Sequence, residues 1–363
     1  MNIIITGDVF IGNEISMKNE IQKKINRHDF MVSNFENVKY FNKAKMRLDK
    51  NAILTYKKEQ LENFLCLTKD VKKIFTLGNN HLHDLGEEGI RETLDDLKKN
   101  DIEYTGISSG TNDINVFIIE HASYKIGILA LSTDNYQVMS ILATEDKIGV
   151  IDLNHRELAD LIKETKKKVD YLIINPHWGK EFMYYPSIEN RKLAYLWIDN
   201  GADLVVGHHP HVIQGKEEYK GKRIYYSLGN FIFPNFYTKN NALHKWSKEN
   251  NYSISISLSF EDCSKKPIIS ELGSYFDINK NELVEAKDSI RMLVERSKYL
   301  DVKSYEYKRY YNLWEDDYYR VLKKTRKKIN KYINMLLLEH KEYGKVEYII
   351  KRLKKRWKKW MKS

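Results

Sequence analysis

The 363-residue sequence predicts an α/β protein, because short buried strands alternate with amphipathic helices along much of its length. Apolar runs rich in β-branched residues recur along the chain, as is typical of strands with both faces buried. Between several of these runs, apolar residues follow helical spacing; Ile90, Leu94 and Leu97 lie on one helical face. Strict alternation at residues 252–260 predicts a further, half-exposed strand that closes a sheet.

The order of these patterns gives the expected elements and parts of the chain. Strands are predicted at residues 2–6, 30–36, 73–77, 116–121, 125–131, 171–175, 203–206 and 223–228. Helices are predicted at residues 87–100, 155–168 and 187–200, the last with Ser187 as its N-cap. After about residue 262 the composition shifts towards Lys, Tyr, Glu and Asn with helical character. We therefore expect an α/β domain at residues 1–262 and a mostly helical extension at 263–363.

The net charge of +11 is concentrated at the C-terminus. Residues 321–363 contain 16 Lys and Arg but only three acidic residues, a net +13 that leaves the first 320 residues at −2. Duplex nucleic acid is bound through basic contacts near the site, so a nearly neutral body argues against nucleic acid as a partner.

The last segment, residues 345–363, has the pattern of a basic amphipathic helix. Its apolar stripe includes Ile349, Leu353, Trp357 and Trp360, and Lys and Arg surround it. Such a helix suits the surface of an anionic membrane, where each basic residue contributes ~1 kcal/mol. The same stripe is also suited to docking on the rest of the chain or on a second copy. Both uses stay open at this point.

Cysteine usage and the N-terminal sequence indicate a reducing compartment. Cys66 and Cys263 are far apart and belong to no metal-binding spacing, which argues against a disulfide framework and a thiolate zinc site. The N-terminus has no signal-peptide pattern, and no apolar run approaches the ~20 residues of a membrane span. We expect a cytoplasmic protein, and peripheral attachment to the inner face of the membrane is one of the two uses of the basic tail that stay open.

Polar side chains follow six of the predicted strands at the point where each strand ends. In α/β sheets the carboxyl ends of strands bring distant loops to one edge, where ligands bind. We therefore expect one site there. Its candidate residues are Asp8, Asn34, Glu36, Asn79, Asn80, His81, Asp84, His177, Trp178, His208, His209, His211 and Asn230.

The residue types at this edge indicate a divalent transition metal. Six of these residues supply carboxylate oxygens, one amide oxygen and imidazole nitrogens without thiolates: Asp8, Glu36, Asn80, His177, His209 and His211. Such a set suits Mn²⁺, Fe²⁺ or Zn²⁺ better than Ca²⁺. His209 and His211 flank Pro210 and can address two adjacent ions, and ions ~3.5–4 Å apart clamp both oxygens of a phosphoryl transfer. Each residue alone is more often structural. Their joint placement favours a site for one or two ions.

Five segments also carry a family resemblance: GDVFIG (7–12), the Asn34-x-Glu36 pair, LGNNHLHDLGEEGIRETLDDL (77–97), HWGKEFMYYP (177–186) and IDNGADLVVGHHPHVIQGKEEYKGKRIYYSLGNFIF (198–233). They resemble the CapA family of capsule-synthesis proteins over roughly residues 1–260. That family is associated with bacterial poly-γ-glutamate capsules and has a calcineurin-like metallophosphoesterase fold. The resemblance implies a sandwich of two mixed β-sheets flanked by helices, to which this chain adds a helical C-terminal extension.

The resemblance also implies roles for individual residues. His81 would act in catalysis near the leaving oxygen, with Asp84 orienting it. The implied metal ligands are Asp8, Glu36, Asn80, His177, His209 and His211. The implied substrate-binding residues are Asn34, Asn79, Trp178, Glu181, His208 and Asn230. One position departs from the family pattern, because Phe10 stands where metallophosphoesterases usually have the histidine of an Asp-x-His pair.

Two functions follow from these expectations. The first is a metal-dependent phosphoesterase-like hydrolase that acts on a phosphorylated or acidic-polymer substrate in capsule or surface-polymer biosynthesis. The alternative is a non-catalytic, membrane-associated component of a capsule or poly-γ-glutamate assembly complex with a degenerate metal site, which Phe10 favours. In either case the tail at 345–363 is expected to contact an anionic membrane or capsule-assembly proteins. A nuclease is a third option, against which the nearly neutral body argues.

Overall fold

The computed structural model describes residues 1–42, 44–110, 114, 116–121, 124–261, 266–301 and 306–320. The basic tail at 345–363 lies outside these residues. The described helices are Asn19–Ile25 (α1), Lys58–Leu67 (α2), Gly86–Lys99 (α3), Leu158–Lys166 (α4), Ile188–Asp199 (α5) and Lys287–Ser297 (α6), with a short 3₁₀ helix at Lys248–Asn251. Residues 306–320 are also helical.

The described strands, in chain order, are Asn2–Val9 (β1), Ser16–Met17 (β2), Phe30–Phe35 (β3), Val38–Lys39 (β4), Thr55–Tyr56 (β5), Lys72–Thr76 (β6), Glu103–Thr105 (β7), Ile107–Ser108 (β8), Phe117–His121 (β9), Tyr124–Leu131 (β10), Gly149–Val150 (β11), Tyr171–Pro176 (β12), Leu204–Val206 (β13), Lys216–Tyr219 (β14), Lys222–Tyr225 (β15), Asn230–Ile232 (β16), Phe236–Tyr237 (β17), Leu243–His244 (β18), Tyr252–Ser259 (β19), Ile268–Asp277 (β20) and Glu282–Glu285 (β21). All eight strands predicted in the first 230 residues are present within a few residues of their predicted bounds.

Two mixed sheets form the core of the described structure. In the first, the strand order is β2-β21-β20-β19-β1-β3-β6-β7, with β16 paired to β1. In the second, the order is β14-β15-β13-β12-β10-β9. The neighbours β1, β3 and β6 are parallel, as are β10, β12, β13 and β15, whereas β19 runs antiparallel to β1. The predicted α/β sandwich of two mixed sheets is confirmed.

Alternate side chains of the central strand β1 pack into apolar clusters on opposite faces of the first sheet. Ile3 and Ile5 of β1 point into an apolar cluster that also contains Ile128 and Ile173 of the second sheet. Ile4 points the other way, into a cluster built with residues of α1, α2 and α3. Each of these isoleucines is fully buried, which stabilises the fold by roughly 1.5–3 kcal/mol per side chain. The first sheet therefore has two buried faces, with the second sheet on one and helices on the other.

The first sheet continues beyond residue 262, where the sequence analysis placed a domain boundary. Strand β20 pairs with β19 along its whole length, and β21 pairs with β20. Strand β19 is therefore an inner strand rather than the predicted closing strand. Its first two serines, Ser253 and Ser255, are buried, and Ser253 bonds to Ser274 of β20. Residues 1–308 form one compact unit. Within residues 266–301 the expected helical character is found only in α6, because β20 and β21 extend the first sheet.

A buried ion pair between α5 and β14 also contacts the segment that follows α6. Arg191 of α5 forms a bidentate ion pair with Glu217 of β14, with distances of 3.2 and 2.5 Å. The same guanidinium donates to the carbonyl of Leu300 and lies 4.3 Å from the ring centroid of Tyr307. The two charged side chains are 11% and 7% exposed. This buried pair thus holds the segment after α6 in place.

Replacing Arg191 by Met should lower the free energy of unfolding by about 3 kcal/mol, because the carboxylate of Glu217 then stays buried without its charged partner. Urea unfolding of the full chain measures this loss. Lys58→Met is the matched control, since Lys58 and Glu62 form an exposed pair, 74% and 55% accessible. Equal losses in the two variants would contradict the role given to Arg191.

Candidate metal centre

Asp8 lies inside β1 at a point where the backbone departs from regular pairing. The register with β3 shifts between Thr6 and Asp8. A Cβ on Gly7 would lie 2.1 Å from the carbonyl oxygen of Gly229, so only glycine allows this close approach of β1 to its neighbour. The Asp8 carboxylate is fully buried. Its Oδ1 accepts a hydrogen bond from Nδ2 of Asn34 at 2.8 Å.

Two histidines of the loop after β13 also reach the Asp8 carboxylate. His208 Nδ1 lies 3.0 Å from Oδ1, and His211 Nδ1 lies 3.4 Å from Oδ2. Burial alone would raise the pKa of Asp8, but the hydrogen bonds and charges of His208 and His211 hold it well below its usual range. Asp8 is therefore a permanent anion at the centre of the cluster.

Glu36, the second carboxylate, follows β3 and is also fully buried. Its Oε1 accepts a hydrogen bond from Asn34 at 3.0 Å, whereas its Oε2 has no hydrogen-bond partner. Oε2 lies 3.6 Å from Nε2 of His81 and 4.0 Å from Nε2 of His211. Burial, with a contribution from Asp8, raises the pKa of Glu36 to about 8. A cation beside Oε2 would restore the charged form.

His177 and His209 come from adjacent loops and lie side by side, with ring centroids 4.7 Å apart. His209 Nε2 lies 3.2 Å from the carbonyl oxygen of Gln137, which places the proton on Nε2 and the lone pair on Nδ1. His209 Nδ1 and His177 Nε2 are buried and have no hydrogen-bond partner. Burial lowers the pKa of both rings, that of His209 to about 3. Both are therefore neutral and suited to bind a metal.

The loop that carries His209 and His211 has a strained backbone. Their φ angles are +94° and +56°, in the left-handed region that residues with side chains rarely adopt. Such a conformation costs of order 1–3 kcal/mol per residue and persists only where the surroundings enforce it. His211 Nδ1 is bonded to Oδ1 of Asn230 at 2.9 Å, which leaves Nε2 as its ligand atom. The carboxylates of Glu36 and Asp8 overcome the effect of burial and raise the pKa of His211 to about 10.

His81 and Asp84 form a hydrogen-bonded pair in the turn after β6, with Nδ1 of His81 2.6 Å from Oδ2 of Asp84. This bond fixes the ring so that Nε2 faces Glu36. Burial lowers the pKa of His81 to about 4. The buried Lys50 lies on the other side of Asp84, where Nζ is 3.3 Å from Oδ1 and donates to the carbonyl of Asn80 at 2.8 Å. No sequence pattern pointed to Lys50, because it lies in an irregular loop.

Asn79 and Asn80 have different environments. Asn79 accepts a hydrogen bond from the backbone N–H of His81 and donates to the carbonyl of Phe35, both at 3.0 Å. Asn79 therefore stabilises the turn, although a contact with substrate was predicted for it. Asn80 Oδ1 is buried without a hydrogen-bond partner, as expected of an atom that faces an ion.

Four more residues predicted to contact substrate have other surroundings. Trp178 is 1% exposed and is an interior residue, because its ring stacks on Trp197 and its Nε1 donates to the carbonyl of Tyr226 at 3.0 Å. His208 and Asn230 bind Asp8 and His211, so they orient candidate metal ligands. Asn34 likewise bridges the two carboxylates. Of the predicted substrate-binding set, Glu181 alone keeps an accessible side chain.

Phe10 belongs to an aromatic wall beside His211. Its ring centroid is 5.3 Å from that of Phe233, which in turn lies 5.2 Å from His211. Trp246 packs 5.1 Å from His211 and completes the wall. The position of the usual metal-binding histidine is thus occupied by a buried apolar ring, which offers no donor atom.

The donor set fits divalent cations. Ligand atoms of Asp8, Glu36 and His211 all lie within 4.8 Å of one another, and so do those of Glu181, His209 and His211. A buried polar atom without a partner costs about 1–3 kcal/mol, which a bound cation would offset. Four expected ligands each have such an atom: Glu36 Oε2, Asn80 Oδ1, His177 Nε2 and His209 Nδ1.

Similarity to solved structures is low. The NAD nucleotidase NadN of Haemophilus influenzae is 15% identical with a TM-score of 0.39, over 81% of this chain and 63% of that one. A phosphatase of Mycoplasma pneumoniae is 12% identical with a TM-score of 0.38, over 80% and 96% of the two chains. Similarity at this level supports no inference about function.

In the part of the chain that the structure describes, no helix is both long and apolar enough to cross a membrane.

Sequence similarity is more informative. The chain is 28% identical to capsule biosynthesis protein CapA of Bacillus anthracis over 297 residues, which cover 75% of this chain and 70% of that protein. It is 29% identical to the PGA biosynthesis protein CapA of Bacillus subtilis (strain 168) over 244 residues, 64% of this chain and 63% of that protein. The matched stretch therefore spans about two thirds of these relatives.

A family model, described as bacterial capsule synthesis protein PGA_cap, matches residues 2–235. This match confirms the resemblance predicted from the five sequence segments, and it spans every candidate site residue described above. The chain belongs to the bacterial capsule synthesis protein family PGA_cap, which has a metallophosphoesterase-like fold.

Proposed function

We propose that this chain is a metal-dependent phosphoesterase-like hydrolase that acts in capsule or surface-polymer biosynthesis. The observation that carries the proposal is the set of buried ligand atoms without hydrogen-bond partners, contributed by Glu36, Asn80, His177 and His209. Natural proteins leave few such atoms, and a cluster of them is a reason to expect a missing ion. Family membership supports the biological setting.

Six residues would hold the metal: Asp8, Glu36, Asn80, His177, His209 and His211. Their oxygen and nitrogen atoms suit one or two ions of Mn²⁺, Fe²⁺ or Zn²⁺. When bound, such ions polarise a phosphoryl oxygen and supply a nucleophile near neutral pH. Asn34, His208 and Asn230 orient these ligands through the hydrogen bonds described above, as surrounding residues do in other metal centres.

His81 is the residue that can hold or move a proton. Its Nδ1 proton is committed to Asp84, so Nε2 is the atom that can take up a proton from the site or return it to a leaving oxygen. Lys50 places a positive charge on the far side of Asp84 and keeps that carboxylate ionised and in position. The aromatic wall of Phe10, Phe233 and Trp246 excludes water from one side of His211.

The substrate class follows from this chemistry, namely a phosphorylated compound or an acidic polymer that carries a phosphoester. One observation favours a different function. Phe10 removes a usual ligand, so the same fold would also serve as a non-catalytic component of a capsule-assembly complex that binds metal or polymer without turnover. The first prediction below separates these two functions.

We also propose that the protein works at the cytoplasmic face of the membrane, through the basic tail at 345–363. The support is the sequence itself, in which residues 321–363 carry a net charge of +13 and an apolar stripe with two tryptophans. Docking of this tail on capsule-assembly proteins is the competing arrangement.

Replacing His209 by Ala should lower Mn²⁺-dependent hydrolysis of a generic phosphodiester by about 10²-fold or more, because the ion loses a direct ligand. Initial rates and the metal content of both proteins are measured together. His121→Ala is the control, since His121 is an exposed histidine of β9. Equal rates for the wild type and His209→Ala would exclude hydrolysis at this site and favour the non-catalytic function.

Deleting residues 345–363 should abolish co-sedimentation with vesicles that contain anionic lipid, since the basic residues and tryptophans that bind the surface are lost. The full chain should bind these vesicles and release them at high salt, which screens the charges. Vesicles of neutral phosphatidylcholine serve as the control. Unchanged binding after the deletion would exclude the tail as the membrane contact.

A further inference from the structure

Glu181 lies at the metal centre but has no role in the six-residue ligand set proposed above. It belongs to the loop between β12 and α5, and the sequence analysis expected it to contact substrate. In the structure one of its carboxylate oxygens lies within 4.8 Å of ligand atoms of both His209 and His211. Donor atoms around one ion with bonds of about 2.0–2.2 Å lie up to ~4 Å apart, so a small rotation of an accessible side chain suffices.

The loop that carries Glu181 is fixed against the loop that carries the two histidines. Trp178 N–H donates to the carbonyl of His208 at 3.1 Å, and Phe182 N–H donates to the carbonyl of Pro210 at 2.8 Å. The side chain of Gln214 donates to the carbonyl of Met183 at 2.7 Å. The two loops therefore run side by side, and the backbone at Glu181 cannot move away from the histidines without breaking these bonds.

The backbone next to Glu181 is strained in the same manner as the histidine loop. Phe182 has a φ angle of +64°, in the left-handed region. An aromatic residue adopts this conformation only where its surroundings enforce it, and such residues cluster at functional sites. The bond from Phe182 to the carbonyl of Pro210 is the constraint that enforces it here. The same bond keeps the backbone next to Glu181 beside the loop that carries His209 and His211.

The composition of the centre supplies the chemical reason for an additional ligand. Phe10 removes the histidine that usually follows the first aspartate, and the aromatic wall excludes water from that side. His211 belongs to two groups of donor atoms, one with Asp8 and Glu36 and one with Glu181, but Nε2 is its only available ligand atom. Two ions would therefore compete for His211 unless another donor were present. The carboxylate of Glu181 is that donor.

We propose that Glu181 is a metal ligand, which holds an ion together with His209 and so adds a donor to a centre in which Phe10 supplies none. The inference rests on the proposed metal centre and adds to it a third carboxylate, which comes from the loop between β12 and α5 instead of from β1. Glu181 would thus act on the ion, and the polar contacts to substrate would come from other groups.

Glu181→Gln should weaken the binding of one Mn²⁺ or Co²⁺ ion by at least about tenfold and leave any second ion unaffected, because it removes the charge but keeps the shape. Calorimetric titration of the full-length, metal-free chain with each ion measures affinity and stoichiometry. The visible absorption of bound Co²⁺ gives an independent readout, since its intensity changes when a carboxylate leaves the coordination shell. Glu181→Asp, which keeps the charge on a shorter side chain, should retain most of the affinity.

Glu189→Gln is the matched control, because Glu189 is an exposed acid at the start of α5 in the same region. It should bind both ions as the wild type does, and metal-free Glu181→Gln should melt at the wild-type temperature. If the wild type binds metal and Glu181→Gln has the same affinity, stoichiometry and Co²⁺ spectrum, the assignment of Glu181 is overturned while the metal centre stands. If the wild type binds no metal, both proposals are overturned.

Discussion

The buried carboxylate of Asp8 is the interaction on which the rest of the site depends. It lies in the central strand β1 and takes contacts from Asn34 on β3 and from His208 and His211 on the loop after β13. An ionised group with no solvent access is tolerated only where hydrogen bonds and opposite charges surround it. Residues of the two sheets supply those partners, so the same contacts keep Asp8 charged and join the sheets at their carboxyl ends.

The two buried carboxylates differ in their hydrogen bonds and in the direction of their pKa shifts. Asp8 is satisfied within the protein and has a lowered pKa, whereas Glu36 has one oxygen without a partner and a raised pKa. The protein thus supplies one permanent anion and one carboxyl group whose charge depends on a neighbouring cation. In the metal-free chain, Glu36 stays protonated up to about pH 8, and a divalent ion would displace that proton. Binding of the proposed metal would therefore be coupled to proton release.

Local sequence pattern was sufficient to predict eight strands in the first 230 residues, strand β19, and the polar residues that follow several of these strands. Asp8, Glu36, Asn80, His177 and His209 could be found because each comes directly after an apolar run. Lys50 and the carbonyl of Gln137 could not, because their roles depend on where irregular loops pass in three dimensions. Strand β20 was missed for a similar reason. Its sequence is only partly apolar. It forms a strand because it pairs with the free edge of β19, a contact that a local sequence pattern cannot reveal.

The roles of the individual site residues likewise depend on three-dimensional geometry. Sequence identified which residue types meet at the edge of the sheets, but only geometry separates atoms that face a ligand from atoms already committed elsewhere. Trp178 and Asn79 bond to backbone groups, whereas Asn80 keeps its amide oxygen free beside them. The strained φ angles of Phe182, His209 and His211 explain why a pattern could not reveal this division. The two loops that contain these residues are distant in sequence, and backbone bonds between them, such as that from Phe182 N–H to the carbonyl of Pro210, place Glu181 close to His209 and His211.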